Sequence, residues 1–420
     1  MRIVILNRSD ATGGAAVVSR RLMEALRAEG MDARMLVCEK LTDSPYVELA
    51  ASKNAIKKCF IVERLKIFFA NGFNRKTLFK IDTGAEGLPL WKHPLVKEAD
   101  AILINWVNQG MLSLKGFEKI LKIGKPVVWT MHDMWYMTGI CHHAGKCDRY
   151  FKECGDCPFL GEKRENDLSK KIWKKKNRIF SNPALMKRAA FVAVSRWVKE
   201  RCELSSLLRS QRIEVINNPY KPAGQNDSSD NGDKIRILFG AARLDDPIKG
   251  LDTLKLACEI ISNEYPAIAR KLQLALFGIV KNPEAWEGFK LPVEKLGLVS
   301  GEENLAKEYR KSQIVVSASS YETFACTLAE AQAYGCLPVS FNQGGQGDII
   351  ENGVTGFLVE YDDDISQRAR NLAEGIVKAV TIVEDKEKYP IFVEKMNRNV
   401  EEKFSYQKIA GRYISLINEL

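Results

Sequence analysis

Short apolar runs alternate with helical stretches along most of the chain, and this alternation constrains the fold more than any other feature. Helical periodicity fills the intervals between the runs, as in residues 17–29, which end at Gly30. Strands that alternate with helices indicate βαβ units and a parallel sheet, so the fold class is α/β. The apolar runs predict strands at residues 2–7, 33–37, 101–104, 127–130, 191–195, 235–239, 272–277, 314–317 and 338–341.

The alternation stops once, at the stretch NNPYKPAGQNDSSDNGDK, whose composition is typical of a linker. A chain of 420 residues is also too long for one ordinary core. We predict two doubly wound, Rossmann-like domains whose ligand site is the cleft between them, at the carboxyl ends of the strands. The predicted bounds are 1–217 for the first domain, 218–234 for the linker, 235–403 for the second domain, and 404–420 for a C-terminal helix that returns to the first domain.

The net charge of +10 is divided unevenly between the two predicted domains. Residues 1–217 carry 39 Lys and Arg against 23 Asp and Glu, a net charge of +16, and the remainder carries −6. A basic half joined to an acidic half indicates that one half meets an anionic partner. Charge alone leaves nucleic acid, a membrane surface and a phosphorylated substrate open.

One segment of the second domain combines a helix start with two carboxylates. The sequence predicts a helix from near Thr323, as its cap, to Gly335. Glu322 precedes this helix and Glu330 lies about two turns inside it, roughly 10 Å along the axis. Carboxylates at that spacing can accept hydrogen bonds from a sugar and from a ribose, although an ordinary capped helix with a surface Glu remains open. The backbone amides that would face a diphosphate belong to Phe324, Ala325, Cys326 and Thr327.

Two cations and a glycine-rich turn accompany this segment. Arg243 and Lys249 follow the first strand of the second domain, where they can neutralise a pyrophosphate, and the alternative is a solvated basic loop. The turn at Gly344-Gly345 lets backbone approach a ligand closely. The sequence ENGVTGFLV follows and ends at Val359.

Together, these motifs resemble the retaining family-4 (glycosyltransferase group 1) enzymes of GT-B fold over most of residues 235–360. The implied fold is two Rossmann-like domains that face each other across a cleft. The resemblance implies metal-independent transfer of a sugar from a UDP- or GDP-sugar, with retention at the anomeric carbon and no cofactor for catalysis. It implies that Arg243 and Lys249 bind the donor phosphates, Glu322 the sugar hydroxyls and Glu330 the ribose.

The first domain carries matches to the same family. Gly13 and Gly14 lie in the first βα loop, where the resemblance implies backbone close to the donor phosphate, and a plain tight turn is the alternative. His132 follows a strand and matches the histidine that the family points at the transferred sugar, although a buried core histidine is the alternative. Ser195 is expected to end another strand of this acceptor-side domain. The implied catalytic set is therefore His132, Glu322, Arg243 and Lys249.

The sequence also departs from the family pattern. Ala325 stands where the family often has Gly, and Asp348 stands where it often has Glu. No Asp-x-Asp motif is placed to hold a catalytic metal, so Arg243, Lys249 and the helix amides must meet the charge of the leaving diphosphate. The family suggests front-face attack, in which the leaving phosphate takes the acceptor's proton.

Four cysteines, Cys141, Cys147, Cys154 and Cys157, lie within 17 residues of the first domain. Their spacing predicts a structural zinc site, with a metal-free loop insertion over residues 141–157 as the alternative. Similar cysteine-bearing loops occur in the branch of the family that builds bacterial colanic acid and capsular polysaccharide. The other six cysteines are scattered, as in proteins of a reducing compartment.

Basic and aromatic residues interleave in residues 52–80 and 163–187 of the first domain. Such a helix can lie on an anionic membrane, and a packed helix with a solvated basic face is the alternative. No nucleic-acid-binding motif accompanies the charge, so we expect no nucleic-acid partner. With no apolar run long enough to span a membrane and no signal peptide, we expect a cytoplasmic protein, with the inner face of the plasma membrane as the site of peripheral contact.

The predicted function is a glycosyltransferase that acts on a glycan or on an acceptor linked to polyprenyl diphosphate, in bacterial exopolysaccharide, capsule or lipopolysaccharide synthesis. Two alternatives stay open. A nucleotide-sugar epimerase of the same fold would bind the same donor without needing an anionic carrier. A non-catalytic nucleotide-binding module would not require the two carboxylates together with the two cations.

Overall fold

The computed structural model describes residues 1–161, 164–221 and 234–420, and the chain divides into two units. Unit 1 comprises Met1–Pro219 together with Tyr406–Leu420, and unit 2 comprises Tyr220–Ser405. Most of the predicted linker, residues 222–233, lies outside the described residues.

Unit 1 is built on a seven-stranded parallel sheet in the order β3-β2-β1-β4-β5-β6-β7. Its central strands are buried on both faces, which explains their unbroken apolar runs. The strands are β1 Arg2–Ser9, β2 Asp32–Glu39, β3 Val47–Leu49, β4 Ala101–Ile104, β5 Val127–Met131, β6 Ala189–Ala193 and β7 Ile213–Val215. The helices are α1 Gly14–Ala28, α2 Lys53–Ala70, α3 Pro94–Glu98, α4 Leu114–Leu121, α5 Leu168–Phe180, α6 Pro183–Met186 and α7 Arg196–Leu204.

Unit 2 repeats this plan with a six-stranded parallel sheet in the order β10-β9-β8-β11-β12-β13. The strands are β8 Ile235–Arg243, β9 Leu272–Ile279, β10 Val293–Gly297, β11 Ile314–Ser317, β12 Leu337–Phe341 and β13 Phe357–Val359. The helices are α8 Leu251–Glu264, α9 Pro266–Ala269, α10 Glu302–Arg310, α11 Cys326–Ala333, α12 Gln346–Ile349, α13 Ile365–Glu384 and α14 Lys388–Phe404.

The last helix, α15 Tyr406–Asn418, belongs to unit 1 and packs against α1. Its apolar residues join the core beneath the sheet, and the Tyr413 hydroxyl bonds Thr130 Oγ1 at 2.9 Å. Tyr406 in turn donates its hydroxyl proton to Glu24 of α1 at 3.0 Å. The chain therefore ends as a structural part of the unit in which it begins.

The two predicted Rossmann-like domains with parallel sheets are confirmed, and the strand order explains where ligands can bind. In each sheet the order reverses beside the first strand, between β1 and β4 in unit 1 and between β8 and β11 in unit 2. Such switch points are where open α/β sheets leave a crevice at the carboxyl ends of their strands. The loops that carry Gly13, His132, Lys249 and Glu322 all follow strands at or next to these points.

Some local predictions needed correction. Ser195 does not end a strand, because β6 stops at Ala193. Instead, the Ser195 side chain accepts a hydrogen bond from the Val198 amide at 3.2 Å and caps α7. The short edge strands β3, β7, β10 and β13 were not predicted, since none of them contains an apolar run longer than three residues. None of the helices among the described residues is long and apolar enough to cross a membrane.

Candidate donor site at the carboxyl ends of β8 and β11

Two loops of unit 2 are joined so that Lys249 lies beside the end of β11. Lys249 ends a short 3-10 turn, and Gly250 follows with a left-handed φ of 72°. A Cβ at position 250 would lie 2.0 Å from the Ala318 carbonyl oxygen, so only glycine permits this approach. The Ser320 amide then donates to the Ile248 carbonyl at 2.9 Å.

This contact brings together three polar side chains. Lys249 Nζ donates to Glu322 Oε1 at 2.6 Å, and Ser319 Oγ donates to the same oxygen at 2.8 Å. Burial disfavours the charge on Lys249, but Glu322 outweighs this effect and raises the pKa of the lysine. The site therefore presents a fixed ammonium and a fixed carboxylate in one partly buried pocket of polar groups, which suits a ligand with both anionic and hydroxyl groups.

The segment after Glu322 is not helical at first, which corrects the predicted helix start. The helix α11 begins at Cys326, and Thr323 does not cap it, because Ala325 occupies the N-cap with a left-handed φ of 65°. This left-handed conformation is the one that glycine adopts most easily, so Ala325 holds a strained backbone at a position where the family often has glycine. The rise of 1.5 Å per helical residue therefore applies only from residue 326 to Glu330, which accounts for roughly 6 Å of the predicted separation between Glu322 and Glu330. At the other end, Gly335 stops the helix as predicted, with a φ of 74°.

The glycine-rich turn packs against the Glu322 segment. The Gly345 amide donates to the Glu322 carbonyl at 2.7 Å, and Gly344 forms a parallel bridge with Glu322. A Cβ at Gly344 would lie 2.4 Å from the Glu322 oxygen, and one at Gly345 would lie 2.2 Å from the Thr323 oxygen. We expected these glycines to let backbone approach a ligand. Instead, they let the turn pack closely against the Glu322 segment, and this packing fixes the loop that carries Glu322.

Glu330 is held inside unit 2 by an aromatic pair. Its Oε2 accepts a hydrogen bond from the Tyr309 hydroxyl at 2.8 Å, and Tyr309 stacks on Tyr334 with ring centroids 5.4 Å apart. Burial and the neighbouring Glu330 raise the pKa of Tyr309, so its hydroxyl remains a donor at neutral pH. Tyr309 orients the carboxylate, a role that the sequence did not reveal because the tyrosine lies on another helix.

Arg243 lies at the end of β8 and pairs with Asp245, not with Glu322. Its Nε donates to Asp245 Oδ1 at 2.7 Å, and this bond raises the pKa of the guanidinium. The other carboxylate oxygen accepts the amides of Lys281 and Asn282. Asp245 thus holds the Nε side of the Arg243 guanidinium in place, while about half of the Arg243 side chain stays exposed. Sequence reasoning missed this positioning group.

In unit 1, the first βα loop leaves space above its glycines. Gly13 is the N-cap of α1 with a φ of 87°, and Gly14 is the first helical residue. A Cβ at either position would meet no atom within 4 Å. Neither glycine is therefore required by packing against the chain, although the φ of Gly13 still favours glycine.

His132 directly follows β5, next to a carboxylate, Asp133, that connects this loop to the loop after β4. Burial lowers the pKa of His132 to about 4, so its ring is neutral at pH 7. Asp133 accepts hydrogen bonds from Trp106 Nε1 at 2.8 Å and from the Trp135 amide at 2.8 Å, and it lies 2.7 Å from His142 Nδ1. Burial opposes ionisation of Asp133, yet His142 and other partners lower its pKa to about 2. Asp133 is therefore a structural anchor for the loop that carries His132.

The four clustered cysteines surround one cavity of about 20 Å³, enough for one water-sized sphere. Burial raises the pKa of Cys141 to about 12 and that of Cys154 to about 11, so these thiols are protonated when no cation is present. Over the described ranges, no three His, Cys, Asp or Glu side chains are arranged so that they could hold a metal ion. The zinc site therefore stays a prediction.

Two family models match the chain. The model described as Glycosyltransferase Family 4 matches residues 12–223, and the model described as Glycosyl transferases group 1 matches residues 235–379. The matched ranges contain His132 in the first case and Lys249, Glu322 and Glu330 in the second. The resemblance to the group 1 and family 4 glycosyltransferases inferred from the motifs is confirmed.

Individual relatives are more distant. An uncharacterised 41.2 kDa protein in the cps region of Klebsiella pneumoniae is 24% identical over 216 residues, which cover 47% of this chain and 55% of that protein. Glycogen synthase of Pseudomonas fluorescens strain Pf0-1 is 29% identical over 143 residues, covering 30% and 28%. The chain thus spans about half or less of the length of these curated relatives.

Solved structures match over the whole chain and show the fold. The structure of Alr3699/HepE from Anabaena in complex with UDP and glucose has a TM-score of 0.60 at 15% identity. The match covers 100% of this chain and 100% of that chain. A glycosyltransferase from Rickettsia africae has a TM-score of 0.62 at 16% identity, covering 99% of this chain and 98% of its own. The fold is that of the GT-B enzymes.

Proposed function

The chain belongs to the group 1 and family 4 glycosyltransferases, and from this premise we propose that it transfers a sugar from a nucleotide-sugar donor. The observation that carries the proposal is the contact of Lys249 with Glu322 at the carboxyl ends of β8 and β11. A non-catalytic nucleotide-binding module would not need an ammonium and a carboxylate fixed together beside the first turn of a helix. A sugar diphosphate uses both groups.

The donor is proposed to lie along the segment from Glu322 to Glu330. Lys249 and Arg243 would bind the diphosphate, with the amides of residues 324–327 close to the sugar and phosphate. Glu322 would accept hydrogen bonds from the sugar hydroxyls, and Glu330, already oriented by Tyr309, would accept those of the ribose. Binding of the diphosphate would draw Lys249 from its internal partner, which frees a Glu322 oxygen for the sugar.

The reaction is proposed to proceed with retention and without a metal. The bond between the anomeric carbon and the phosphate oxygen breaks, and a bond from the same carbon to the acceptor oxygen forms on the same face. The acceptor's proton passes to the leaving phosphate oxygen. Lys249 and Arg243 would stabilise the charge that develops on the leaving diphosphate. Electrostatic stabilisation of this kind is usually the largest single contribution to catalysis.

His132 is proposed to contact the transferred sugar. Its ring is neutral at pH 7 because its pKa is lowered, so it can exchange hydrogen bonds with a hydroxyl without placing a second cation there. Gly13 and Gly14 leave room above the start of α1, which supports the proposal that their backbone meets a ligand. Asp133 and Trp106 are expected to act only by holding the His132 loop.

The acceptor is proposed to be a glycan or a sugar linked to polyprenyl diphosphate, in exopolysaccharide, capsule or lipopolysaccharide synthesis. The relative from a cps region and the similarity to a lipopolysaccharide galactosyltransferase structure support this class. Structures of HepE with UDP and with UDP-glucose favour a UDP-sugar over a GDP-sugar as the first donor to test. All ten cysteines lie among the described residues and none of them forms a disulfide, which supports the proposed cytoplasmic location.

A thermal-shift panel of UDP-, GDP- and ADP-sugars tests the donor site directly. We expect one nucleotide class to raise the melting temperature of the wild type, and Glu330→Ala to abolish this shift by removing the proposed ribose contact. Leu298→Ser, an exposed change in the same unit, serves as the control and should leave the shift intact. If no nucleotide sugar stabilises the protein, the proposed function is wrong. An epimerase would instead convert the donor itself in the absence of any acceptor.

A further inference from the structure

Helix α2 exposes apolar side chains and buries charged ones. Ile61, Leu65 and Phe69 are 42%, 48% and 64% exposed and lie four residues apart, so they form one stripe along the helix. Glu63 and Arg64 are buried. A helix on the surface of a globular protein normally has the opposite arrangement, with its apolar stripe facing the core.

Hydrogen bonds to the buried charges fix this orientation. Arg64 donates to Asp82 Oδ2 at 2.6 Å and to the Leu78 carbonyl at 2.7 Å. Glu63 accepts the Thr83 amide at 2.8 Å. Rotating α2 to hide the stripe would turn Glu63 and Arg64 toward solvent and leave Asp82 buried without its arginine partner, which is strongly unfavourable. The exposure of the stripe is therefore built into unit 1.

Phe73 extends the stripe beyond the end of the helix. It is 60% exposed, and its ring makes edge-on contacts with Phe68 and Phe69 at centroid distances of 5.3 and 5.4 Å. Its backbone has a left-handed φ of 63°, a conformation that is costly for a bulky residue and natural for glycine. Because the ring is not buried, folding does not explain why a phenylalanine occupies this position.

The loop that carries Phe73 is anchored from both sides. Asn71 caps α2 and binds the Asn74 amide and carbonyl, at 3.0 and 2.7 Å. On the other side, Gly161 packs so closely that a Cβ on it would lie 2.8 Å from the Gly72 Cα. Gly161 lies four residues after Cys157. The chain just beyond the cysteine-rich segment therefore packs against the end of α2.

Exposed cations precede and follow the apolar residues along the chain. Residues 53–80 contain eight Lys and Arg but only one acidic residue, Glu63, which is buried. Lys57 and Lys58 lie one turn before Ile61, and Arg75 and Lys76 follow Phe73, all four of them exposed. An apolar stripe with cations at both of its ends complements a surface that is apolar inside and anionic outside.

We propose that the α2 patch, defined as Ile61, Leu65, Phe69 and Phe73, docks unit 1 onto an anionic lipid bilayer. The aromatic rings would enter the boundary between headgroups and acyl chains, while the lysines and arginines bind the lipid phosphates. A second copy of the chain is a poor occupant, because two patches with this positive charge would repel each other. The proposal does not rest on the donor chemistry, because the α2 patch contains none of the residues proposed to contact the donor.

Co-sedimentation of the full chain with vesicles tests the proposal. We expect binding to vesicles of mixed phosphatidylglycerol and phosphatidylcholine, little binding to phosphatidylcholine alone, and weaker binding as salt increases. Phe73→Gly should lower the partition coefficient about tenfold while leaving the melting temperature unchanged or higher, because glycine relieves the left-handed backbone. Leu298→Ser removes an equally exposed apolar side chain from unit 2 and should change binding less than twofold.

Three results would overturn the proposal. The first is no binding of the wild type to anionic vesicles, and the second is equal loss of binding in Phe73→Gly and Leu298→Ser. The third is a wild-type dimer in solution that Phe73→Gly dissociates, which would assign the patch to a second copy. Transfer to a water-soluble acceptor should be the same in wild type and Phe73→Gly, so failure of docking and failure of the transferase function are separable.

Discussion

Replacing Gly345 with alanine should impair catalysis by moving Glu322, without any change to a polar group. Gly345 has a φ of −72°, which alanine adopts without strain, so the effect is steric. The new Cβ would lie 2.2 Å from the Thr323 oxygen, whereas such contacts essentially never fall below 3.0 Å. The segment that carries Glu322 must therefore shift by about 0.8 Å. A displacement of this size at a binding group can cost up to about 100-fold in rate.

We expect Gly345→Ala to lower kcat/KM for the nucleotide sugar by roughly 10- to 100-fold, or about 1.4–2.7 kcal/mol. Stability should fall by about 1–3 kcal/mol from the overpacking. The assay is release of the nucleoside diphosphate, measured well below the melting temperature. Gly347→Ala is the matched control, because its Cβ would meet only the Asn342 side chain, at 3.3 Å. Wild-type activity in Gly345→Ala, or an equal loss in both variants, would refute the steric reasoning.

Three further predictions follow from the site and the cysteine cluster. Lys249→Met should lower kcat about 100-fold by removing a fixed cation from the diphosphate, and Lys249→Arg should retain more activity; equal kcat in all three proteins would contradict the role. Burial lowers the pKa of His132 from 6.5 to about 4 in the folded chain. As the pH falls, the histidine therefore binds a proton in the unfolded chain before it does so in the folded chain. The free energy of unfolding should consequently decrease between about pH 6.5 and 4. In urea unfolding, the free energy of unfolding of the wild type should fall by on the order of 2 kcal/mol more than that of His132→Gln over this pH range, after allowance for partial exposure of the ring. Metal analysis tests the zinc prediction: about one zinc per chain, with less in Cys154→Ser, would support it, whereas a metal-free wild type, which the arrangement of the described side chains favours, would remove it.

The fold could be predicted because its strands are buried on both faces. Buried parallel strands give continuous apolar runs, and all nine predicted strands are present. The strands that were missed, such as β10 Val293–Gly297, lie at sheet edges and carry Glu294 and Lys295, so they lack this signal. Edge strands are largely specified by pairing with a neighbour, which a single sequence does not show.

The candidate site could be predicted only in part. The motif spacing identified Glu322 and Lys249, but their contact depends on Gly250 and on a loop more than seventy residues away. The start of α11 was placed too early, because Thr323 is a better cap by propensity than Ala325. Tertiary packing of the glycine-rich turn overrides that preference. Asp245 and Tyr309 were missed for a related reason, since each orients a site residue without belonging to its motif.

The central claim, that this chain transfers sugar from a nucleotide donor through the Glu322 segment, is tested most directly by transfer of a labelled sugar in EDTA. A panel of UDP- and GDP-sugars would be offered with a glycan or polyprenyl-diphosphate-linked acceptor. We predict labelled product from the wild type, undiminished by EDTA, and at least about 100-fold less from Glu322→Ala at equal thermal stability. Absence of product with every donor, or undiminished product from Glu322→Ala, would contradict the account.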